Sequence, residues 1–133
     1  MIRCEIGNTA FDQKFVTFSV KVCTDAYILL TSKYYDSGPS IEIAIGTNGN
    51  MRAGIRREKL GRNIVTHIGP FVSCREYTQF WISWKSQFIA VGFGQNEYEN
   101  QFMAMRDDRS LSIVNLGIST GWGTTGEWMF VKP

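Results

Sequence analysis

The strongest constraint on the fold lies in one stretch, Phe80-Trp81-Ile82-Ser83-Trp84-Lys85-Ser86-Gln87-Phe88-Ile89-Ala90-Val91-Gly92. Phe80, Ile82 and Trp84 alternate with Trp81 and Ser83, which is the two-residue period of a strand. Phe88, Ala90 and Gly92 alternate with Gln87, Ile89 and Val91 in the same way. Between them Lys85-Ser86 is short and polar, so the stretch reads as a β-hairpin turning there, with Phe80–Trp84 antiparallel to Phe88–Gly92. Both arms are apolar on both faces over part of their length. That pattern suits a central hairpin between two layers rather than an exposed edge.

The rest of the chain supplies strands to surround it. Alternation or apolar runs mark Ile2–Ile6, Lys14–Cys23, Ala26–Thr31, Ile41–Ile45, Met51–Arg56, Asn63–Ile68, Gln101–Met105, Leu111–Ile118 and Glu127–Val131. Turn signals separate them: Gly7-Asn8-Thr9, Thr24-Asp25, the loop Tyr34–Ser40, the Asn-Gly hairpin Gly46–Asn50, and the Gly-rich segment Ser119–Thr125. No window carries a capped helical period. The expected fold is all-β: one antiparallel β-sandwich, jelly-roll-like, over residues 1–133.

Composition narrows function. The chain has 133 residues, 44% of them hydrophobic, enough for a single sizeable core and unlike a disordered chain. Its net charge of +2 implies no obligate polyanionic partner. The basic loop from Arg52 to Arg62 is interrupted by Glu58, so nucleic acid is not an expected partner. No apolar run is long enough to insert in a bilayer as a helix. Met1–Ile6 carries no visible secretory signal; the compartment stays open between cytoplasmic and secreted after processing. Cys4, Cys23 and Cys74 have no zinc-ligand spacing. Cys23 is expected to be a buried free thiol, with one disulfide plus a leftover thiol as the alternative.

Enzyme signatures are sparse. Ile89-Ala90-Val91-Gly92-Phe93-Gly94 superficially matches a nucleotide loop, but neither the third glycine nor the following helix is there. These glycines read as places of close backbone approach. His67, the one histidine, sits in a strand pattern and is expected to be partly buried and structural. There is no histidine pair for a metal and no nucleophile elbow. Asp107-Asp108, between arginines, reads as a solvated turn. No cofactor is expected.

Several blocks resemble the farnesoic acid O-methyltransferase-like domain family. They are Phe18–Val22 with Asp25–Ile28, Ile41–Gly46, Asn50, Ile55–Arg57, Phe80–Trp84 with Val91–Gly94, and Gly117–Trp128. They follow the family's order and cover nearly the whole chain. The resemblance implies a jelly-roll-like β-sandwich. It also implies two lines of function: the methyl transfer in the family name, and the invertebrate recognition and immune-type proteins in which such domains occur.

Recognition by a rigid β scaffold is the reading taken here: a non-catalytic, lectin-like module whose partner is a glycan. The alternatives are an interaction or structural domain and, less favoured, an S-adenosylmethionine-dependent O-methyltransferase. Sugars call for polar forks on paired hydroxyls and an aromatic face for the C–H side. Asp25, Asn48, Asn50, Arg52 and Arg56 lie on or beside loops, and Trp122 sits in the Gly-rich segment. Each also has a structural alternative: Asp25 as a turn cap, Arg56 as the partner of a carboxylate, Trp122 as a lid on the core. A shallow sugar site gains from multivalency, so a homo-oligomer is expected.

Overall fold

A computed structural model describes residues 2–3, 8–33, 39–109, 111–121 and 123–130. They form two antiparallel sheets packed face to face. Sheet A runs β1 (Ile2–Arg3), β10 (Asn115–Thr120), β3 (Ala26–Thr31), β4 (Ser40–Gly46), β5 (Arg52–Arg56), β6 (Val65–Ile68). Sheet B runs β11 (Gly126–Phe130), β2 (Phe15–Val22), β7 (Thr78–Ser83), β8 (Phe88–Phe93), β9 (Gln101–Arg106). The β-sandwich expected from the strand spacing is the observed fold.

Alternation builds the core. Along β2 every second residue is buried, and Val16, Phe18, Val20 and Val22 point inward. From sheet A, Ile28, Leu30, Ile41, Ile43, Ile45 and Ile55 meet them. Phe80 and Ile82 of β7 are fully buried in the same cluster, and β7 lies in the middle of sheet B. Burying each such side chain is worth about 1.5–3 kcal/mol. Trp81 faces the other way. It is also fully buried, because the 94–100 loop folds over it, with Tyr98 edge-on to its ring and its Nε1–H donating to the Glu99 carbonyl at 2.8 Å. This is why β7 is apolar on both faces.

The central hairpin pairs Phe80 with Phe93 and Ser83 with Ala90. Its turn lies one residue later than the polar dipeptide suggests. Ser86 and Gln87 take left-handed φ values of 52° and 68°, and Phe88 N–H donates to the Lys85 carbonyl at 2.9 Å. That is a two-residue hairpin loop of primed type, whose twist matches the strands.

Other expectations are corrected. Asn8 and Thr9 open a short helix, α1 (Asn8–Gln13), rather than a turn. The strand expected from Leu111 begins only at Asn115; Leu111–Val114 runs without a ladder to Val114 N–H, which donates to the Thr31 carbonyl at 2.9 Å. Cys23 is neither buried nor free: it is exposed and disulfide-bonded to Cys74. The alternative with a single disulfide thus holds for this pair, while Cys4 lies outside the described residues. His67 is exposed on β6, its ring 6.2 Å from that of Phe71 and 6.1 Å from that of Phe102. Asp107 is no solvated turn residue. It is buried, and Arg109 clamps it with Nη2 2.6 Å from Oδ2. The same Nη2 donates to the Ser40 carbonyl at 2.9 Å, which ties the end of β9 to sheet A.

Candidate functional site

The register of sheet A decides which side chains share its outer face. Residues paired across strands point to the same side. With Ile28, Ile43 and Ile55 inward, their neighbours point out. One outward row is Ser119, Tyr27, Ala44, Gly54 and Thr66; the next is Gly117, Leu29, Glu42 and Arg56.

Arg56 is anchored in this face. Its Nη1 donates to Glu42 Oε1 at 2.9 Å and its Nε to Asn63 Oδ1 at 2.8 Å. Glu42 is buried and takes a second bond from Leu60 N–H at 3.0 Å, so the 57–64 segment folds back over the sheet. The Arg56 guanidinium lies 5.8 Å from the centre of the Tyr27 ring, within cation–π reach. Tyr27 is half-buried. Burial pushes its phenol pKa above the ordinary value, the Asp25 and Glu42 charges push the same way, and Arg56 opposes them.

Asp25 stands just before β3 with φ 60°. Its N–H donates to the Gly46 carbonyl at 3.0 Å and its carbonyl accepts from Gly121 N–H at 2.9 Å. Thr24 Oγ1 donates to its Oδ2 at 2.9 Å. The Asp25 side chain lies where a side chain at position 121 would start, 2.7 Å from such a Cβ, so glycine is required there. Asp25 is half-buried, and its charge adds to the rise of the Tyr27 phenol pKa. Asp25, Tyr27 and Arg56 therefore form one outward-facing group of carboxylate, ring and guanidinium.

The other expected residues divide. Arg52 is exposed and has the same outward parity as Gly54 and Arg56. Asn48 is exposed in the left-handed turn of the β4–β5 hairpin, with φ 52°. Asn50 is engaged internally. Its Oδ1 accepts from Phe71 N–H and Val72 N–H, both at 3.1 Å, and its Nδ2 donates to the Val72 carbonyl at 2.7 Å. The amide thus serves the 71–72 backbone as a short strand would. Trp122 lies outside the described residues. Tyr27, Glu42 and Asn63 were missed in the sequence reading. Tyr27 sits two residues from Asp25, the spacing of one sheet face, but it is hidden in the apolar run Ala26–Leu30.

The chemistry offered is that of hydrogen-bond exchange. A carboxylate accepts, a phenol donates and accepts, and a guanidinium donates. Among the described residues no group of three or more His, Cys, Asp or Glu is placed to hold a metal. At the nucleotide-like motif, Gly92 lies directly under the Trp81 indole, where any Cβ would collide with it. Close approach is thus the role of that glycine.

A curated protein of Haliotis asinina, named "Uncharacterized protein 5", is 32% identical over 101 residues, covering 74% of this chain and 58% of that protein. This chain thus spans under two thirds of that relative's length. Among solved structures, the CBM40 module of the Ruminococcus gnavus IT-sialidase is similar over 95% of this chain and 80% of its own, with a TM-score of 0.44 and 9% identity. The farnesoic acid O-methyl transferase family profile matches residues 4–133, nearly the whole chain, and the chain belongs to that family.

Proposed function

We propose that the chain is a non-catalytic carbohydrate-recognition module, and that its ligand lies on the outer face of sheet A against Asp25, Tyr27 and Arg52. The carrying observation is the half-buried Tyr27 ring with the Arg56 guanidinium 5.8 Å from its centre, two residues after Asp25 on the same face of the sheet. A sugar presents hydroxyls at its edge and C–H groups on its face. A carboxylate, a cation and an aromatic ring side by side match both. Arg56, already bonded to Glu42 and Asn63, orients the ring; Arg52, exposed, reaches the ligand. Asn48 at the hairpin tip extends the same rim, and Trp122 belongs to the same proposal as an apolar platform. No bound cofactor enters this reading, and methyl transfer has no residue assigned to it.

A shallow site of this kind binds weakly alone, and linked sites raise apparent affinity by about 10²–10⁴. Self-association through β6 would supply them. It forms one edge of sheet A, and Ile68 at its end is 75% exposed. Unpaired strand edges with apolar neighbours favour pairing with a second copy.

A glycan array followed by calorimetry on Asp25→Asn, Tyr27→Ala and Arg52→Ala tests the site. Each variant is expected to lose at least tenfold in affinity, Asp25→Asn and Arg52→Ala with little change in thermal midpoint. Full binding by folded Asp25→Asn and Arg52→Ala together would remove the site. A blank array beside measurable protein partners would favour the interaction-domain reading. Heat on titration with S-adenosylmethionine would reopen the enzyme reading. Light scattering that gives a monomer at high concentration would remove self-association.

A further inference from the structure

Charge is unevenly spread along this chain. Residues 52–62 hold five of its fourteen Lys and Arg, at Arg52, Arg56, Arg57, Lys59 and Arg62, and one of its twelve acids, Glu58. That stretch is net +4, and the remaining residues together are net −2. Arg56 is paired with Glu42, whereas Arg57, Lys59 and Arg62 are exposed in the loop between β5 and β6. Glu58 folds its side chain back on its own turn: a Cβ at Gly61 would lie 2.7 Å from Glu58 Cγ.

The 57–64 loop is pinned along its length. The Arg57 carbonyl accepts from Arg109 Nη1 at 3.1 Å, and Leu60 N–H donates to the buried Glu42 Oε1 at 3.0 Å. Arg56 Nε donates to Asn63 Oδ1 at 2.8 Å, and Ile64 N–H to the Ile55 carbonyl at 2.8 Å. Gly61 N–H closes a turn on the Glu58 carbonyl at 3.1 Å, which places Leu60 third in that turn, with φ 58°. A turn with positive φ at this position favours glycine, and a leucine there is strained by its Cβ. The side chain recovers nothing by burial, for Leu60 is 72% exposed. Ile64, where the loop rejoins the sheet, is 41% exposed. Local strain held in place by its surroundings is a mark of functional positions.

We infer that the 57–64 loop docks the protein on an anionic lipid surface, with Leu60 entering the headgroup layer and Arg57 and Arg62 meeting the lipid phosphates. Cations alone would suit any polyanion. The leucine decides for lipid, because a nucleic-acid backbone has no apolar layer to receive an exposed aliphatic tip. Interfacial segments bind in this way, by apolar burial joined to attraction for anionic headgroups. The loop is already rigid, so little ordering opposes docking. The negative balance of the remaining residues turns the rest of the surface away, and the domain approaches loop first. The contact is peripheral: among the described residues no helix is long and apolar enough to cross a membrane.

Co-sedimentation with vesicles of equal parts phosphatidylcholine and phosphatidylglycerol tests the loop, beside vesicles of phosphatidylcholine alone and beside duplex DNA. Binding to the anionic vesicles is expected, falling as salt rises. Arg57→Ala/Arg62→Ala should weaken it about tenfold or more. Leu60→Gly should weaken it comparably while the thermal midpoint holds or rises, because glycine accepts the left-handed backbone without strain. Leu60→Asn, which also tolerates that conformation, repeats the test if glycine loosens the turn. A merely structural leucine would move binding and midpoint down together. Equal sedimentation on neutral and anionic vesicles would overturn the assignment of charge, and none on anionic vesicles at low salt would overturn the docking. Undiminished vesicle binding by folded Leu60→Gly and Leu60→Asn, or tighter binding to duplex DNA than to vesicles, would overturn the choice of lipid. The vesicles carry no sugar, so failure of the glycan reading leaves these outcomes unchanged.

Discussion

Arg56 and Glu42 are direct partners across β5 and β4, and their Nη1–Oε1 contact of 2.9 Å lies on the outer face of a sheet whose inner face is apolar. The Glu42 side chain is 1% exposed and that of Arg56 14%. A buried pair adds little over an apolar substitute, but removing one partner strands the other. Arg56→Ala should therefore destabilise the fold by roughly 3–5 kcal/mol. Arg56→Lys should lie between, because an ammonium cannot span Asn63 and Glu42 as the planar fork does. Urea midpoints of the two variants check this. A shift for Arg56→Ala under about 1 kcal/mol, the range of surface pairs, would place the pair in water.

Reduction should weaken the protein without abolishing the fold. Cys23 and Cys74 are 51 residues apart in sequence, and a loop of that length implies up to about 4 kcal/mol of stabilisation in the chain-entropy account. Cys23→Ala/Cys74→Ala should lose about 2–4 kcal/mol by denaturant titration. The bond also implies folding where thiols are oxidised.

Acid should release the Asp107 clamp. Hydrogen bonds from Arg109 lower the Asp107 pKa against the opposing effect of burial. A carboxyl with a depressed folded value stabilises fully above the unfolded value of ~3.9 and loses that contribution as pH falls through the folded one. Asp107→Asn should thus be less stable than wild type at neutral pH, with the gap closing below about pH 4. Urea midpoints from pH 7 to 2 measure it. A gap constant across that range would mean that the charge contributes nothing.

Two glycines should respond to alanine for different reasons. At Gly92 the added methyl meets the Trp81 indole, which is fully buried and bonded to the Glu99 carbonyl. Overpacking there should cost roughly 1–3 kcal/mol. At Gly49 nothing lies within 4 Å, and φ is +68°. The cost is then the left-handed backbone alone, about 1 kcal/mol. Tryptophan emission should shift in Gly92→Ala and stay unchanged in Gly49→Ala.

What the sequence revealed was set by local repetition. The alternation of β2 and of the central hairpin is written in adjacent residues, and those strands fell where expected. The hairpin turn was misplaced by one because Ser86 and Gln87 take positive φ without glycine or asparagine to announce it. Helix α1 is too short to show a helical period. The disulfide was not readable, since three cysteines without motif spacing leave every pairing open. Asp107 looked solvated because the carbonyl that fixes its partner belongs to Ser40, far away in sequence. The candidate site divided likewise: Asp25 and Arg56 carried a visible chemistry, but Tyr27 joins them only through the register of three strands.

The strand order also sets a schedule for the chain leaving the ribosome. β3 through β6 and β7 through β9 pair with sequence neighbours and are free to form as they emerge. β10, however, lies between β1 and β3, and β11 lies against β2. Until these late strands arrive, β2 and β3 each present an unpaired edge beside an open core. The nascent chain is thus exposed to strand-pairing errors and to holdase chaperones for most of its synthesis. Substitutions in Asn115–Thr120 should accordingly lower yield on expression more than they lower the stability of whatever protein completes the fold.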